Sequence, residues 1–431
     1  MPHTIGVLPG PLILIRNDRL MHELPKCVRS AFLIAGVLLL LVISRPAVAS
    51  ELDGRWEGAL VTPGGNLRFD LTIKATDDGH RALIQNGPEQ VTAVVEVRDG
   101  NRVRIAFPHF DAAIEASLAD GALSGTYRKR RSATEWAELD FTANRSRDSR
   151  RTAAEDLPTG RWRVKFSSSS DPAVAVFQTE DDGTHWATIL TTLGDYRYLT
   201  CRSGPQGAVE LSVFDGGHAF LLRGRKNEDG FITGDFWSGA HWHETWQAFP
   251  DESAELPDAL KLTTAQASVS LSDLHVRTLT GETITLADQR FHGRARVISL
   301  FGTWCPNCHD ATEFLSEIHE LYGADGLSVV GVAFEVSGDF QRDAAQVRIY
   351  AERFGVEYPV VLGGIADKQA ASESFPLLDA VRAYPTMIFL DSSDRVAAVY
   401  TGFSGPATGA AHTRLKDQLH EIIQRLLSAD E

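Results

Sequence analysis

The chain has 431 residues and a formal net charge of −15, with 57 Asp and Glu against 42 Lys and Arg. This acidic balance argues against nucleic acid as a partner, because phosphate backbones bind basic surfaces. The four cysteines are too few for a disulfide-stapled scaffold, and a chain of this size can bury enough apolar surface without covalent links.

The N-terminus has the pattern of a secretory signal. Residues 31–43 are apolar, basic residues precede them, and Ala47-Val48-Ala49 follows as a small-residue cleavage site. The apolar stretch is too short for a membrane span. The region before it is longer than usual, so Met21 is an alternative start. We predict a signal peptide over 1–49 and an extracytoplasmic, periplasmic mature protein that touches the membrane only if the signal is uncleaved.

The front half of the mature chain is rich in β-strand signals. Between Glu51 and Asp251, short runs of Val, Ile, Leu, Phe and Trp alternate with Gly- and Asp-containing turns, and helical periodicity is absent from the sequence there. The pattern predicts antiparallel sheets.

An internal duplication divides this region in two. Matching segments recur 104 to 110 residues apart: Gly54-Arg55-Trp56 with Gly160-Arg161-Trp162, Phe110-Asp111 with Phe214-Asp215, residues 120–127 with 229–236, and Trp136 with Trp246. The sequence predicts two β units, 51–145 and 156–250, each of about eight strands in a small meander barrel or a sandwich. A charged stretch, 146–155, separates them.

Two features of the second unit have alternative interpretations. His241 and His243 are two residues apart, which places both imidazoles on one face of a strand, as a metal site would require. The only third ligand nearby is His218, so solvent-facing histidines are the alternative. Cys201 is interpreted as a small buried apolar residue rather than as a redox group.

The rear of the chain alternates strands and helices. A Pro- and acid-rich linker, 251–264, precedes a domain over 265–431. The predicted elements are a hairpin over 275–286, strands over 296–301, 327–334, 358–362, 386–390 and 396–400, a helix after the first of these strands, and helices over 341–354 and 414–427. This order predicts an α/β sheet that helices cover on both faces.

The most informative motif is Cys305-Pro306-Asn307-Cys308, between the first strand and the first helix of this domain. Unpaired amides and the positive helix end favour a thiolate at Cys305, so we predict Cys305 as the nucleophile and Cys308 as the resolving residue of a redox-active disulfide. A structural zinc site would need a second ligand pair. A peroxiredoxin-like peroxidase would need Thr three residues before the cysteine, and neither cysteine has one.

The motif Gly302-Thr303-Trp304 before the cysteines, together with Tyr384-Pro385-Thr386, resembles the thioredoxin fold. Within that fold it resembles the TlpA/ResA-type extracytoplasmic thiol-disulfide oxidoreductases, over Leu271 to Leu427. The resemblance implies that Pro385 is a cis-proline and that it lines the substrate groove beside the cysteines and Trp304. It also implies an inserted strand and helix at about 341–375.

Further implications of the resemblance concern the reaction. It implies protein disulfide reduction without a cofactor, with oxidised protein substrates and a membrane thiol electron donor. The β repeats lie outside it, so a binding protein whose repeats engage a ligand or partner, with an accessory redox domain, is the alternative.

Two positions depart from the family pattern. Thioredoxins have a buried Asp where this chain has Ser299, and ResA-like members have a Glu where this chain has Ala311. Glu335, at the end of the neighbouring strand, could supply the missing base, and an exposed strand-end Glu is the alternative. His309 could tune the site or be a solvated first-turn residue.

Overall fold

The structure is a computed structural model that describes residues 51–98, 100–146 and 157–429. The predicted signal segment and all but the first residue of the charged stretch lie outside the described residues. None of the helices in the described part of the chain is long and apolar enough to cross a lipid bilayer.

The first β unit is a closed antiparallel barrel, in which β1 pairs with both β2 and β8. Side chains alternate between core and solvent, so that Leu67, Phe69 and Leu71 of β2 are buried and the residues between them are exposed. The strands are β1 (Gly54–Thr62), β2 (Gly65–Thr76), β3 (Gly79–Asn86), β4 (Glu89–Val97), β5 (Arg102–Phe107), β6 (Ala112–Ala119), β7 (Ala122–Arg130) and β8 (Trp136–Arg145).

The second β unit closes in the same way, because β9 pairs with both β10 and β17. Its strands are β9 (Gly160–Phe166), β10 (Ala173–Thr179), β11 (His185–Thr191), β12 (Gly194–Asp195), β13 (Leu199–Gly204), β14 (Ala208–Phe214), β15 (Ala219–Lys226), β16 (Ile232–Ser238) and β17 (Trp242–Pro250). The short β12 pairs with β11. The predicted tandem β architecture is confirmed, as barrels rather than sandwiches.

Two glycines at equivalent positions of the two β units lie against the backbone of the neighbouring strand. A Cβ atom at Gly125 of β7 would lie 1.9 Å from the Glu115 carbonyl oxygen, and one at Gly234 of β16 would lie 1.9 Å from the Arg223 carbonyl oxygen. Only glycine fits at these two equivalent positions. Three of the four repeated tryptophans are buried, whereas Trp136 is half-buried, with the Arg130 guanidinium 4.1 Å from its ring centroid.

The rear domain is built on a seven-stranded mixed sheet in the order β19-β18-β22-β21-β20-β23-β24. The central strands β20, β21 and β22 are parallel, and β23 and β24 complete one side in antiparallel pairing. The strands are β18 (His275–Thr278), β19 (Thr283–Thr285), β20 (Ala295–Phe301), β21 (Leu327–Glu335), β22 (Val360–Ile365), β23 (Thr386–Leu390) and β24 (Val396–Thr401). All seven residues of β20 are buried, as expected for a strand covered on both faces.

Helices cover both faces of this sheet, as the sequence predicts. They are α1 (Pro306–Tyr322), α2 (Phe340–Phe354), α3 (Lys368–Ser374) and α4 (Ala410–Ser428). Apolar residues of α1 and α4 form the core on one face, and residues of α2 and α3 contribute to the core on the other. The segment expected as an insertion, 341–375, holds most of α2 together with β22 and α3. The last helix begins at Ala410, four residues before the predicted start at Arg414.

Candidate redox site

Cys305 and Cys308 lie where β20 ends and α1 begins, at the carboxyl edge of the parallel strands. The structure pairs them in a disulfide, with their Cα atoms 5.3 Å apart. Cys305 is the N-cap of α1 and Pro306 occupies the first helical position, where a missing N–H costs nothing. The Cys308 amide donates a hydrogen bond to Cys305 Sγ at 3.2 Å, which is the contact that would stabilise a thiolate there.

A buried carboxyl group supports the turn before the cysteines. Glu335, 1% exposed, accepts hydrogen bonds from the Thr303 amide at 2.9 Å and from the Thr303 hydroxyl at 2.7 Å. Burial raises the pKa of Glu335 to about 8, although both hydrogen bonds oppose the shift. The alternative of an exposed strand-end Glu is therefore wrong.

The two positions that depart from the family pattern are buried and carry no carboxyl group. Ser299 and Ala311 are each 1% exposed. The Ser299 hydroxyl has no hydrogen-bond partner among the described residues. Within the described chain, Glu335 is thus the buried carboxyl group that hydrogen-bonds to the turn leading into Cys305.

The loop of Tyr384 and Pro385 faces the cysteines. The peptide bond between these two residues is cis, and Cys305 Sγ lies 3.4 Å from the Tyr384 carbonyl oxygen. The Trp304 ring packs edge-to-face on the Tyr384 ring, with centroids 5.5 Å apart, and its indole N–H donates to the Phe334 carbonyl at 2.9 Å. These contacts bring Trp304 and the cis Tyr384–Pro385 peptide together beside Cys305.

The first barrel directly contacts residues 302–308, which we call the redox turn. Lys129 Nζ donates to the Trp304 carbonyl at 3.1 Å, and the Phe110 ring stacks on the His309 ring with centroids 4.4 Å apart. Burial, together with the neighbouring His109, holds the pKa of His309 well below its ordinary value. The interpretation of His309 as a solvated residue is therefore wrong. Its side chain is buried where the first barrel packs against α1.

The second barrel contacts the same turn through the segment around β12. Asn307 Nδ2 donates to the Asp195 carbonyl at 3.0 Å, and Arg197 donates to the Pro306 carbonyl at 3.2 Å and to the Asp310 carboxylate at 2.6 Å. Asp195 also accepts from the Gly405 amide at 2.6 Å. This segment therefore lies across the end of α1 and the loop after β24.

A cluster of buried charges surrounds Arg197. Glu89 of the first barrel, Asp215 of the second and Asp310 of α1 all contact its guanidinium. Burial disfavours the Arg197 charge, but the three carboxylates together raise its pKa well above the ordinary value. Burial raises the pKa of Asp310 to about 7 in spite of Arg197. One cation thus joins all three domains beside the redox helix.

The redox pair is buried, and both barrels contact the residues on either side of Cys305 in the chain. Cys308 is fully buried and Cys305 is 6% exposed. A cleft of about 800 Å³ opens beside Trp304 and Pro306, with Lys129 and His241 on its barrel side. Trp304 and Pro306, the two chain neighbours of Cys305, line this cleft, so it reaches the turn from solvent.

The comparison with known proteins agrees with this geometry. Residues 251–415 match the Redoxin family model. The C-terminal part of the chain is a Redoxin domain. The match begins at the predicted linker and includes the cysteine pair and Pro385, and the two barrels lie outside it.

The curated relatives of the Redoxin domain are thiol-disulfide oxidoreductases. The chain is 26% identical over 132 residues to ResA of Geobacillus thermodenitrificans and 25% identical over 130 residues to ResA of Geobacillus kaustophilus. Each alignment covers 30% of this chain and 66% of the relative, slightly less than two thirds. A solved thioredoxin-family thiol:disulfide interchange protein of Chlorobium tepidum is 20% identical, with a TM-score of 0.28, and the match covers 38% of this chain and all of that one.

Among the described residues, His241 and His243 do not form a shared metal site. His243 Nε2 lies 2.8 Å from Asp235 Oδ1 and its ring stacks on Trp237. Partial burial and the charges of Arg131 and Lys129 lower the pKa of His241 to about 4. Over residues 51–98, 100–146 and 157–429, the structure has no group of three or more His, Cys, Asp or Glu that could hold a metal ion. Cys201 is buried in the second barrel and free, as predicted.

Sequence reasoning missed the barrel residues that reach the Redoxin domain. Lys129, Asp195 and Arg197 belong to no motif, and their roles depend on how the domains pack. The repeated dipeptides Phe110-Asp111 and Phe214-Asp215 were a usable signal, since Phe110 contacts His309 and Asp215 contacts Arg197. Their recurrence was interpreted only as evidence of duplication.

Proposed function

We propose that this protein is an extracytoplasmic, periplasmic thiol-disulfide oxidoreductase that reduces disulfides of protein substrates through Cys305 and Cys308. The observation that carries the proposal is the position of Cys305 at the N-cap of α1. There its sulfur accepts a hydrogen bond from the Cys308 amide. The Redoxin match over residues 251–415 supports the same chemistry. The secretory pattern at the N-terminus supports the location.

The exchange follows from the positions of the two sulfurs. The Cys305 thiolate attacks one sulfur of a substrate disulfide, a mixed disulfide forms, and the other substrate sulfur leaves as a thiolate that takes a proton. Cys308, which is buried one turn along α1, then loses its proton and attacks Cys305. The substrate leaves with two thiols and the protein holds the Cys305–Cys308 disulfide. Glu335, which hydrogen-bonds to Thr303, is the proposed acceptor of the Cys308 proton once its own carboxyl group is ionised, near and above its pKa of about 8.

The turn residues have supporting roles in this proposal. Pro385 and Trp304 flank Cys305 and form the groove in which a substrate segment lies. The oxidised protein is returned to the dithiol by a membrane thiol donor, and the reducing direction is the one that the family resemblance favours. The reaction needs no cofactor, because both electrons pass between sulfurs.

A second function is favoured by a specific observation. Lys129 of the first barrel and Asp195 of the second both contact the redox turn, so the barrels are placed to select what reaches Cys305. A recognition role for the repeats is compatible with the exchange chemistry and would make the Redoxin domain the effector of a binding module.

The test is reduction of the disulfides of insulin by the full chain, with dithiothreitol as the electron source. We expect Cys305→Ser to lose activity. Cys201→Ala is the matched control, because Cys201 is buried in the second barrel, and this variant should retain activity. Equal activity of wild type and Cys305→Ser would refute the proposal. Turnover of hydrogen peroxide in place of insulin would favour a peroxidase.

A further inference from the structure

One lysine joins all three domains at the redox turn. Lys129, on β7 of the first barrel, donates to the Gly217 carbonyl of the second barrel at 2.8 Å and to the Trp304 carbonyl at 3.1 Å. Its ammonium also lies 5.4 Å from the centroid of the Phe110 ring. Two carbonyls and an aromatic face thus fix its position, although the side chain is long and flexible in water.

The Trp304 carbonyl that accepts a hydrogen bond from Lys129 belongs to the peptide bond between Trp304 and Cys305. The hydrogen bond and the covalent path together place the ammonium roughly 9 Å or less from Cys305 Sγ. The N–H of the same peptide, which is the Cys305 amide, donates a hydrogen bond to the Gly302 carbonyl at 3.2 Å. Lys129 therefore restrains the orientation of this peptide and brings a positive charge to the end of α1 that already favours an anion.

The charge of Lys129 is present at neutral pH. Burial lowers its pKa to about 8, because an ammonium is costly to remove from water, while the nearby Asp215 carboxylate opposes the shift. Asp215 is itself committed to the His218 amide and imidazole at 2.5 and 3.1 Å. It neutralises the lysine only in part.

Other charges face the cysteines from each packed element. Glu335 lies beneath the turn, and the carboxylates of Asp195 and Asp310 lie on the side of the second barrel, where Arg197 offsets them. In their ionised forms these acids favour the thiol of Cys305. Within the described residues, Lys129 is the lysine that hydrogen-bonds to the redox turn.

We propose that Lys129 is a positioning residue of the redox centre, which orients the Trp304–Cys305 peptide and stabilises the Cys305 thiolate from the first barrel. The inference deepens the proposed exchange function and rests on it for its biological meaning. It makes the first barrel part of the redox centre rather than an appended binding module.

The test is the pH dependence of Cys305 alkylation by iodoacetamide in the reduced full chain, with the modified cysteine assigned by peptide mass. A unit charge at this distance, in an effective dielectric of about 20, shifts a pKa by about one unit. We expect the alkylation midpoint to rise by about one unit in Lys129→Met and Lys129→Gln. Lys129→Arg should keep it near the wild-type value, because the charge is restored. Lys74→Met, an exposed lysine of the same barrel, is the matched control.

The variants separate positioning from a purely structural role. A structural lysine would change the melting temperature but leave the alkylation midpoint of the folded protein in place, and that result in Lys129→Met would overturn the proposal. If Lys129→Met does not fold, Lys129→Gln, which is one bond shorter than lysine but keeps an N–H donor, decides in the same way. Alkylation can be measured even if the protein never reduces insulin, so failure of the proposed function is distinguishable from failure of this inference.

Discussion

The guanidinium of Arg197 lies 2.6 Å from the carboxylate of Asp310 and joins the second barrel to the redox helix five residues after Cys305. Arg197 also contacts Glu89 of the first barrel, so one side chain ties the three domains together. A buried cation with several carboxylate partners is costly to remove, because the acids that remain have no compensating charge.

We therefore expect Arg197→Ala to destabilise the protein. Its side chain is 15% exposed, and loss of one partner from a buried ion cluster typically costs about 3–5 kcal/mol. The measurement is the free energy of unfolding in urea. Arg223→Ala is the matched control, since Arg223 also bridges the two barrels but is 39% exposed and does not contact the Redoxin domain. Equal, small losses in the two variants would contradict the interpretation of the cluster.

Burial of Cys305, with both barrels in contact with its chain neighbours, predicts selectivity by reagent size. In the reduced protein, iodoacetamide should reach Cys305 through the cleft, whereas a maleimide carrying a long polyethylene glycol chain should react slowly. In Arg197→Ala the bulky reagent should react about tenfold faster or more, because the lost ion pair exceeds the ~1.4 kcal/mol that corresponds to a factor of ten. A bulky reagent that already matched iodoacetamide on the wild-type protein would show that the barrels do not cover the site in solution.

Glu335 predicts a pH dependence of stability. Its pKa is raised by burial from 4.5 to about 8, so between these values the folded protein keeps a proton that the unfolded chain has released. Unfolding then releases a proton, and the free energy of unfolding falls as pH rises, by up to about 1.4 kcal/mol per pH unit from this group. The decline ends above pH 8, where both states are ionised.

Comparison of variants isolates this contribution. Urea unfolding across pH 5 to 8 should show a shallower decline in Glu335→Gln, because glutamine does not titrate. Glu313→Gln, an exposed acid on α1, should keep the wild-type slope. Identical slopes in wild type and Glu335→Gln would mean that Glu335 is ionised in the folded protein at neutral pH.

The same substitution should slow resolution more than attack. If Glu335 takes the Cys308 proton, Glu335→Gln should reduce the rate at which Cys308 resolves a mixed disulfide by about 10²-fold, the lower range for a positioned base. The initial attack by Cys305 should change less. Stopped-flow measurement of the two steps, with the pKa of Cys308 from its own alkylation profile, is the check, and a Cys308 pKa that does not move in Glu335→Gln would rule out this role.

Much of the Redoxin domain could be predicted because its signals are local. The buried strand ending at Phe301, the Pro306 helix start and the spacing of Cys305 and Cys308 each follow from short-range rules of strands, caps and dipoles. The duplication likewise predicts two tandem β units, barrels or sandwiches, since glycines such as Gly125 recur wherever the same close strand contact recurs.

The domain interface could not be predicted in the same way. Lys129 on β7 and Arg197 after β12 are ordinary basic residues in the sequence, and their contacts with Trp304 and Asp310 span 175 and 113 positions. The sequence allows two interpretations of His309, because the burial of its side chain depends on Phe110 of the first barrel. Such long-range packing has no periodicity in the chain, so only the folded arrangement reveals it.

The most direct test of the exchange mechanism is covalent capture with the Cys308→Ser variant. Incubation of the reduced variant with a protein disulfide should yield a mixed disulfide on Cys305 that accumulates, maps to the peptide containing residue 305, and is released by dithiothreitol. Wild-type protein should not accumulate this adduct, because Cys308 resolves it. Absence of the adduct, or its formation at Cys201 instead, would contradict the assignment of Cys305 as the attacking sulfur.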